Sequence, residues 1–356
     1  MSVAIALAGS RDDEGIRRLV ESQAMPGRVR ISFCREPRFS LGCDVTGDDP
    51  RVLVARTEPE DVVVGVACRS VRHVFLNGRP QRIGYLGQLR VHERWRGRWL
   101  VSRGFAALKE LHRADPLPAY LVSIVDGNHE AAGVLVHRRR RAFPVFREAA
   151  RYVTYAVPPG RPAAWNARDL EIVPGSGDRL DEIASFLMTE GRRRQISSVW
   201  TAGALRALDL YGLSLRDILV ARRHGRIVGT IALWDQSAYK QSIIRGYTGW
   251  LRPASAFLPR PGTKLRSAYA ALIAIAGDDV VVFDALLRAA RNLASLRRFE
   301  YLLLGLDPRD PLTSVIRTCR RRVEYPSTLY LASWTEGEAD HEQLDARPVY
   351  VDIATL

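Results

Sequence analysis

Arg94, Arg96 and Arg98 crowd around Gly97 at the end of the run Tyr85 Leu86 Gly87 Gln88 Leu89 Arg90 Val91 His92 Glu93 Arg94 Trp95 Arg96 Gly97 Arg98. The residues up to Val91 read as a strand, and positions 100, 101, 104, 105, 108 and 111 form the apolar stripe of a helix. A strand that enters a glycine-containing basic loop and then a helix suits phosphate. The free N–H groups and the positive dipole end of the helix face the loop, and the arginines add charge. The second half of the chain has a comparable junction, Ile275 Ala276 Gly277 Asp278 Asp279 Val280, with carboxylates in place of arginines. Aspartates cap a helix well and repel a pyrophosphate, so only the first junction is expected to bind one.

These two junctions sit in two similarly ordered halves. The first half reads as a helix near Asp12 to Ala24, an irregular stretch, strands at Leu53 to Arg56, Val62 to Phe75 and Arg82 to Val91, and a helix from residue 100. Asn77-Gly78 marks a hairpin. A strand at Tyr120 to Val125, a helix from His129 to His137 and a strand at Phe146 to Val157 complete the half. Pro158, Pro159, Gly160 and Pro162 then read as a linker. The second half gives a strand at Leu170 to Val173, a helix at Asp178 to Glu190, and strands at Ile218 to Arg222 and Ile227 to Trp234. Residues 236 to 266 read as an irregular insert containing Trp250 and Phe257, expected to wall an acceptor pocket or to hang free. A strand at Ala268 to Ala276, a helix at Val280 to Leu296, a strand at Tyr301 to Leu306, a short helix after Pro311 and a strand at Thr328 to Ser333 follow. The expectation is an α+β chain with domains at 1–157 and 168–356, joined by a linker at 158–167. Each domain is a mixed, mainly antiparallel sheet flanked by helices.

Composition sets the outer limits. The chain has 356 residues, 47% apolar, long enough for two domains with full cores. Its 53 basic and 39 acidic residues give a net charge of +14, yet lysine occurs only at Lys109, Lys240 and Lys264. Such an arginine excess reflects either anion binding or the codon usage of a GC-rich genome, so position must separate the two. Arg138 to Arg141, Arg192 to Arg194 and Arg320 to Arg322 lie near helix ends without interleaved aromatics, which argues against nucleic acid as a partner. The four cysteines have neither CxxC spacing nor a histidine pattern, so no metal is expected and a reducing cytoplasm is. Neither a signal segment nor a membrane span is read.

The run from Tyr85 to Arg98 resembles the acetyl-CoA-binding motif of the GCN5-related N-acetyltransferases, whose loop reads Arg/Gln-x-x-Gly-x-Gly/Ala. Arg96 and Gly97 fit; Trp99 and Val101 stand where small residues are expected and put bulk beside the pyrophosphate. Asn128 with Ala131, and Ala142-Phe143 before the closing strand, extend the resemblance over the first half, and the order of elements extends it over the chain.

The resemblance implies acyl transfer from acetyl-CoA to an amine, either a small molecule or a peptide, with the donor in a splay between the strands ending at Val91 and starting at Tyr120. Backbone groups of Leu89, Arg90 and Val91 would hold the pantetheine and polarise the thioester carbonyl. The amides of Gly97, Arg98, Trp99, Leu100 and Val101 would cradle the pyrophosphate, guided by Arg96, and Asn128 would bond to the pantetheine. The family's strand carboxylate is missing: this strand offers Tyr85 and Gln88, and Glu93 lies past its end. The family's tyrosine acid falls at Leu135, leaving His137 as the catalytic candidate nearby and His73 as a second. Two rival functions follow from these gaps and from the basic charge: transfer from aminoacyl-tRNA, and CoA sensing without catalysis. The oligomeric state is open.

Overall fold

The structure is a computed structural model that describes residues 2–24, 29–97, 99–136, 143–160, 169–249, 260–334 and 344–356. The first half begins with strand β1 (Ser2–Leu7), helix α1 (Asp13–Ser22), strand β2 (Val29–Cys34) and helix α2 (Phe39–Asp44). Long strands β3 (Asp48–Glu58), β4 (Val63–Leu76) and β5 (Arg79–Val91) lead into α3 (Leu100–Ala114), β6 (Tyr120–Val125), α4 (His129–Leu135) and β7 (Val145–Val157). The second half runs β8 (Glu171–Pro174), α5 (Leu180–Gly191), β9 (Ser197–Ser198), α6 (Ala202–Ala207), β10 (Ile218–Arg223) and β11 (Arg226–Trp234). It continues with β12 (Gln241–Tyr247), β13 (Lys264–Leu265), β14 (Ser267–Ile275), α7 (Val280–Leu296), β15 (Tyr301–Leu306), α8 (Thr313–Thr318) and β16 (Val323–Ser333).

Local chemistry accounts for the strongest elements. Asn77 and Gly78 take φ of +49° and +77°, the positive pair that a two-residue turn between β4 and β5 requires. Alternation along β3 sends Leu53 and Val54 to opposite faces of the sheet. Val54, Val66 and Cys68 pack under Ile16, Leu19, Val20 and Phe39 of α1 and α2. On the other face Leu53, Val122 and Ile124 meet Phe105 and Leu108 of α3 and Leu135 of α4. In the second half α7 buries Val282, Phe283, Leu286, Leu287 and Ala290 against Ile231, Leu233, Leu302 and Leu304. Each fully buried Val, Leu or Phe there contributes roughly 1.5–3 kcal/mol of transfer free energy.

One sheet of 13 strands runs through both halves, in the order β1-β3-β4-β5-β6-β16-β7-β15-β14-β11-β10-β8 with β9 beside β4. Among the described residues all its neighbours are antiparallel except β5–β6 and β14–β15. The final strands are exchanged: β16 of the second half pairs with β6, while β7 of the first half pairs with β15. β16 and β7 also pair with each other from Val323↔Ala156 to Ser333↔Val145.

The stretch 236–266, expected to be irregular, holds strands β12 and β13, and the irregular region before Leu53 holds β2. Together they form a second sheet, β13-β12-β2, in which Gln241 pairs with Cys34 and Tyr247 with Val29. Part of the second half's insert thus lies on the first half. Trp250 and Phe257 lie outside the described residues, as does the arginine run 138–141. No described helix is long and apolar enough to cross a membrane.

Candidate active site

The parallel pairing of β5 with β6 lasts for two residues, Gly84↔Tyr120 and Tyr85↔Leu121, supported by the Gly84 N–H donating to the Ala119 carbonyl at 2.8 Å. Gly84 is required there: a Cβ would come 2.0 Å from the Tyr120 ring. Beyond Tyr85 the two strands part. On the other side of β5 the ladder with β4 slips: Cys68 faces Gly87 and Val66 faces Arg90, so Gln88 and Leu89 oppose the single residue Ala67. Gln88 sits at φ +57°, which makes this a β-bulge. Such a conformation costs a non-glycine residue on the order of 1 kcal/mol and persists where the surroundings enforce it. The bulge takes Gln88 and Leu89 out of the regular ladder at the point where the gap opens.

An apolar cavity of about 80 Å³ lies at this gap, lined by Ala67, Gly87, Leu89, Val101, Phe105 and Val122 among others. At its mouth Gly97 (φ +76°) and Trp99 (φ +62°) turn the chain into α3. No side chain caps that helix and its first turn holds no acid. Leu100 is buried, Trp99 is exposed, and Arg98 lies outside the described residues.

Arg96 stands at the mouth but is engaged, with Nη1 3.1 Å from Glu130 of α4 and Nε donating to the Val91 carbonyl at 3.3 Å. Both partners of the Arg96–Glu130 pair are about half exposed, so it is worth at most about 1 kcal/mol and an anion can displace it. Asn128 is the N-cap of α4; its Oδ1 accepts from the Ala131 N–H at 3.1 Å, which leaves its Nδ2 as a donor.

Behind β5, on the face under α2, Tyr85 is buried with the Arg72 guanidinium 4.2 Å from its ring centre. Burial raises the Tyr85 phenol above its ordinary value and keeps it protonated, although Arg72 pulls the other way. Arg72 is fixed by donating from Nε to the Thr46 carbonyl at 2.6 Å and from Nη2 to the Thr355 carbonyl. Lys240 lies over Tyr269 at 4.8 Å and donates to the Leu356 oxygen at 3.0 Å. Burial holds its ammonium well below the usual lysine range, and the charges of Arg35 and Arg72 add to the effect. Of the histidine candidates, His137 lies outside the described residues. His73 pairs with Arg82, down the ladder from Tyr85 and away from the splay, and sits 3.6 Å from Asp48.

The second half repeats the geometry and closes it. β14 and β15 pair in parallel from Ser267↔Tyr301 to Tyr269↔Leu303, and the β11–β14 ladder slips between Thr230 and Ala232. Leu272 takes φ +52° at that slip. Tyr269 precedes Leu272 as Tyr85 precedes Gln88, three residues back. Here, however, Tyr350 and Asp352 occupy much of the splay and leave a cavity of about 20 Å³ lined by Leu272, Ile273, Leu306 and Tyr350 among others. Asp352 accepts from the Leu272 N–H at 2.8 Å and the Tyr350 hydroxyl from the Ile273 N–H at 3.0 Å. The helix end is closed as well: Asp279 Oδ1 accepts from Val281 and Val282 at 2.9 and 3.3 Å, and Arg193 and Arg194 hold Asp278.

The sequence matches no family model and no curated protein. Solved structures do match. A GCN5-related glucosamine N-acetyltransferase region of a fungal multi-domain β-N-acetylglucosaminidase superposes with a TM-score of 0.63 at 13% identity, over 93% of this chain and 38% of that one. Saccharomyces cerevisiae N-myristoyltransferase with bound myristoyl-CoA gives 0.63 at 11% identity, over 93% of this chain and 82% of its own. A GCN5-related N-acetyltransferase from Kribbella flavida gives 0.52 at 11%, over 92% and 70%. This chain has the GCN5-related N-acetyltransferase fold, in two copies.

Within that GCN5-related fold, the structure brings Tyr85, Gln88, Leu89, Arg90, Val91, Leu100 and Val101 together around one splay, with Arg96, Gly97, Trp99 and Asn128 at its mouth. What the sequence reading missed is the ring of buried polar groups behind Tyr85: Arg72, Lys240, Tyr269 and Asp352. Burial raises the Asp352 carboxyl to about 6, partly offset by the N–H groups of Leu272 and Ala354. The one available signal was Lys240, a rare lysine in a chain that otherwise uses arginine.

Proposed function

We propose that this chain is an N-acyltransferase that takes an acyl group from acyl-CoA in the splay of its first half and passes it to an amine. The observation that carries the reading is the difference between the two bulges: the Gln88 splay opens onto an apolar cavity of about 80 Å³ beneath an uncapped helix end, whereas the Leu272 splay is occupied by Tyr350 and Asp352 and keeps a cavity of only about 20 Å³. The residues present fit CoA. The backbone at Leu89, Arg90 and Val91 would hold the pantetheine arm alongside β5, and the Asn128 Nδ2 would reach it from across the gap. The amides of Gly97, Trp99, Leu100 and Val101 would take the pyrophosphate, with Arg96 and Arg98 adding charge.

Bound acyl-CoA supplies an activated carbonyl. The chain supplies orientation: bulge groups at Gln88 and Leu89 stabilise negative charge as it develops on that carbonyl oxygen, and the splay holds amine and thioester within reach of each other. Tyr85, kept protonated by burial and with its hydroxyl beside Gly87 of the strand, is the acid we assign to the departing thiolate. His137 remains a candidate for the opposite transfer.

We further read the acyl group as acetyl or another short chain. A cavity of about 80 Å³ is smaller than the roughly 150 Å³ that accommodates benzene in an engineered protein core. The four unpaired, buried cysteines fit a reducing cytoplasm. Thiol release from a series of acyl-CoA chain lengths tests the reading. Acetyl-CoA should turn over with an amine present, turnover should fall with each added pair of carbons, and absence of both turnover and CoA binding would refute it.

A further inference from the structure

Most glycines around the donor splay have a local cause. A Cβ on Gly84 would come 2.0 Å from the Tyr120 ring, one on Gly87 would come 2.7 Å from the Tyr85 ring, and Gly97 turns the chain at φ +76°. Gly104 has no such cause. It lies in the second turn of α3, and a Cβ built on it would meet nothing within 4 Å. Glycine is a poorer helix former than alanine because it loses more conformational freedom on folding, so neither packing nor the backbone of α3 accounts for its presence. The matching helix of the second half, α7, holds no glycine in its 17 residues.

The space beside Gly104 belongs to the apolar cavity at the bulge. Val101, Gly104 and Phe105 line that cavity from α3, and Ala67, Gly87 and Leu89 line it from the sheet. Phe105 is buried, with its ring centre 4.6 Å from that of Phe143 and 6.3 Å from that of Phe146. Measured along the helix axis it lies about 7.5 Å past Leu100, which stands near the mouth. A chain entering at the bulge and running under α3 therefore passes Gly104 and meets an aromatic wall. Close-packed rings yield little, so such a wall discriminates by size.

We propose that Gly104 and Phe105 set the size of the acyl group: Gly104 leaves the room that the first carbons beyond the carbonyl enter, and the Phe105 ring, held by Phe143 and Phe146, stops the chain. The proposal rests on the acyltransferase reading and deepens it, since it assigns the choice of donor to two neighbouring positions of one helix. Both lie on α3, away from the bulge that would hold the carbonyl, so they act on which donor is admitted and not on bond making. They also act in opposite senses. Bulk added at position 104 shortens the chain that fits, and bulk removed at position 105 lengthens it.

Calorimetric binding of free CoA, acetyl-CoA, butanoyl-CoA and hexanoyl-CoA to the full chain tests this, each acyl affinity being taken as a ratio to that of free CoA. Burying one methylene is worth about fourfold in affinity. Phe105→Leu should raise the butanoyl and hexanoyl ratios by about that factor for each methylene newly admitted, and Gly104→Val should lower the butanoyl ratio by about tenfold. Gly104→Ala should raise the unfolding temperature by about 2 °C while lowering the butanoyl ratio about threefold, a gain in stability with a loss of the longer donor that a merely structural glycine would not give. If Phe105→Leu fails to fold, the two Gly104 variants decide alone. Ratios that stay at wild-type values in the Gly104 variants, or affinities that all move together with that of free CoA, overturn the proposal and leave acyl transfer standing. If wild type binds neither free CoA nor any acyl-CoA, the donor-site reading fails and the proposal falls with it.

Discussion

Gln88 and Leu272 mark the same bend in two copies of one plan, with φ of +57° and +52° and a buried tyrosine three residues earlier in each. The first bend opens onto an apolar cavity and a bare helix end. The second is occupied by Asp352 and Tyr350, and its helix is capped by Asp279. The backbone device that makes room for a ligand is therefore common to both halves, and what differs is whether the protein's own side chains have already used it. The two tyrosines also share a setting: Arg72 lies over Tyr85 and Lys240 over Tyr269, and burial pushes the Tyr269 phenol up to about 12.

The largest effect is expected at the plug. The Asp352 carboxyl is raised from near 4 to about 6, chiefly by burial, so the folded state keeps this proton to higher pH than the unfolded chain does. Its favourable contribution is complete below about pH 4 and is lost as pH rises through about 6, a change of roughly 3 kcal/mol. Asp352→Asn keeps an acceptor for Leu272 and removes the titration. Chemical denaturation of the two proteins from pH 4 to 7 should show wild type losing stability relative to the variant by that amount, and a constant difference would show that the plug does not titrate in this window.

Copying the closed helix end onto the open one comes next. Trp99→Asp puts a carboxylate at the N-terminus of α3 and should weaken CoA binding by about 30-fold, or roughly 2 kcal/mol, without lowering the unfolding temperature; unchanged affinity would remove α3 from the donor site. Tyr350→Phe leaves the Ile273 N–H without its acceptor and should cost about 1–2 kcal/mol in urea unfolding while acyl transfer stays as it was. A loss of CoA binding with that variant would mean the second splay is not closed. Smallest is Glu130→Gln, which frees Arg96 and should tighten CoA about threefold at low salt, the effect fading as ionic strength rises.

Some of this was legible beforehand. Arg94, Arg96 and Gly97 announced the loop because glycine and arginine carry their chemistry locally, and Asp279 announced its own cap. The bulges did not announce themselves: glutamine and leucine have no intrinsic leaning to positive φ, so the bend at Gln88 and Leu272 is imposed by the neighbouring strands. The exchange of β7 and β16 was hidden for a related reason. Alternation along Phe146 to Val157 or Thr328 to Ser333 says which face is buried and nothing about which strand lies alongside. β2 and β12 were missed because each is short and finds its partner in the other half of the chain.

The exchanged strands impose an order on synthesis. Strand β6 gains its antiparallel neighbour only when β16 is made, about 200 residues later, or roughly 10–40 s at ordinary translation rates. Until then the nascent first half presents a bare, apolar strand edge of the kind that recruits other chains, and its contacts with β16 are among the most distant in sequence, the kind that form slowly. The donor site therefore cannot mature on the ribosome ahead of the rest of the protein. A truncated first half is expected to aggregate, and the halves are expected to regain solubility only when produced together.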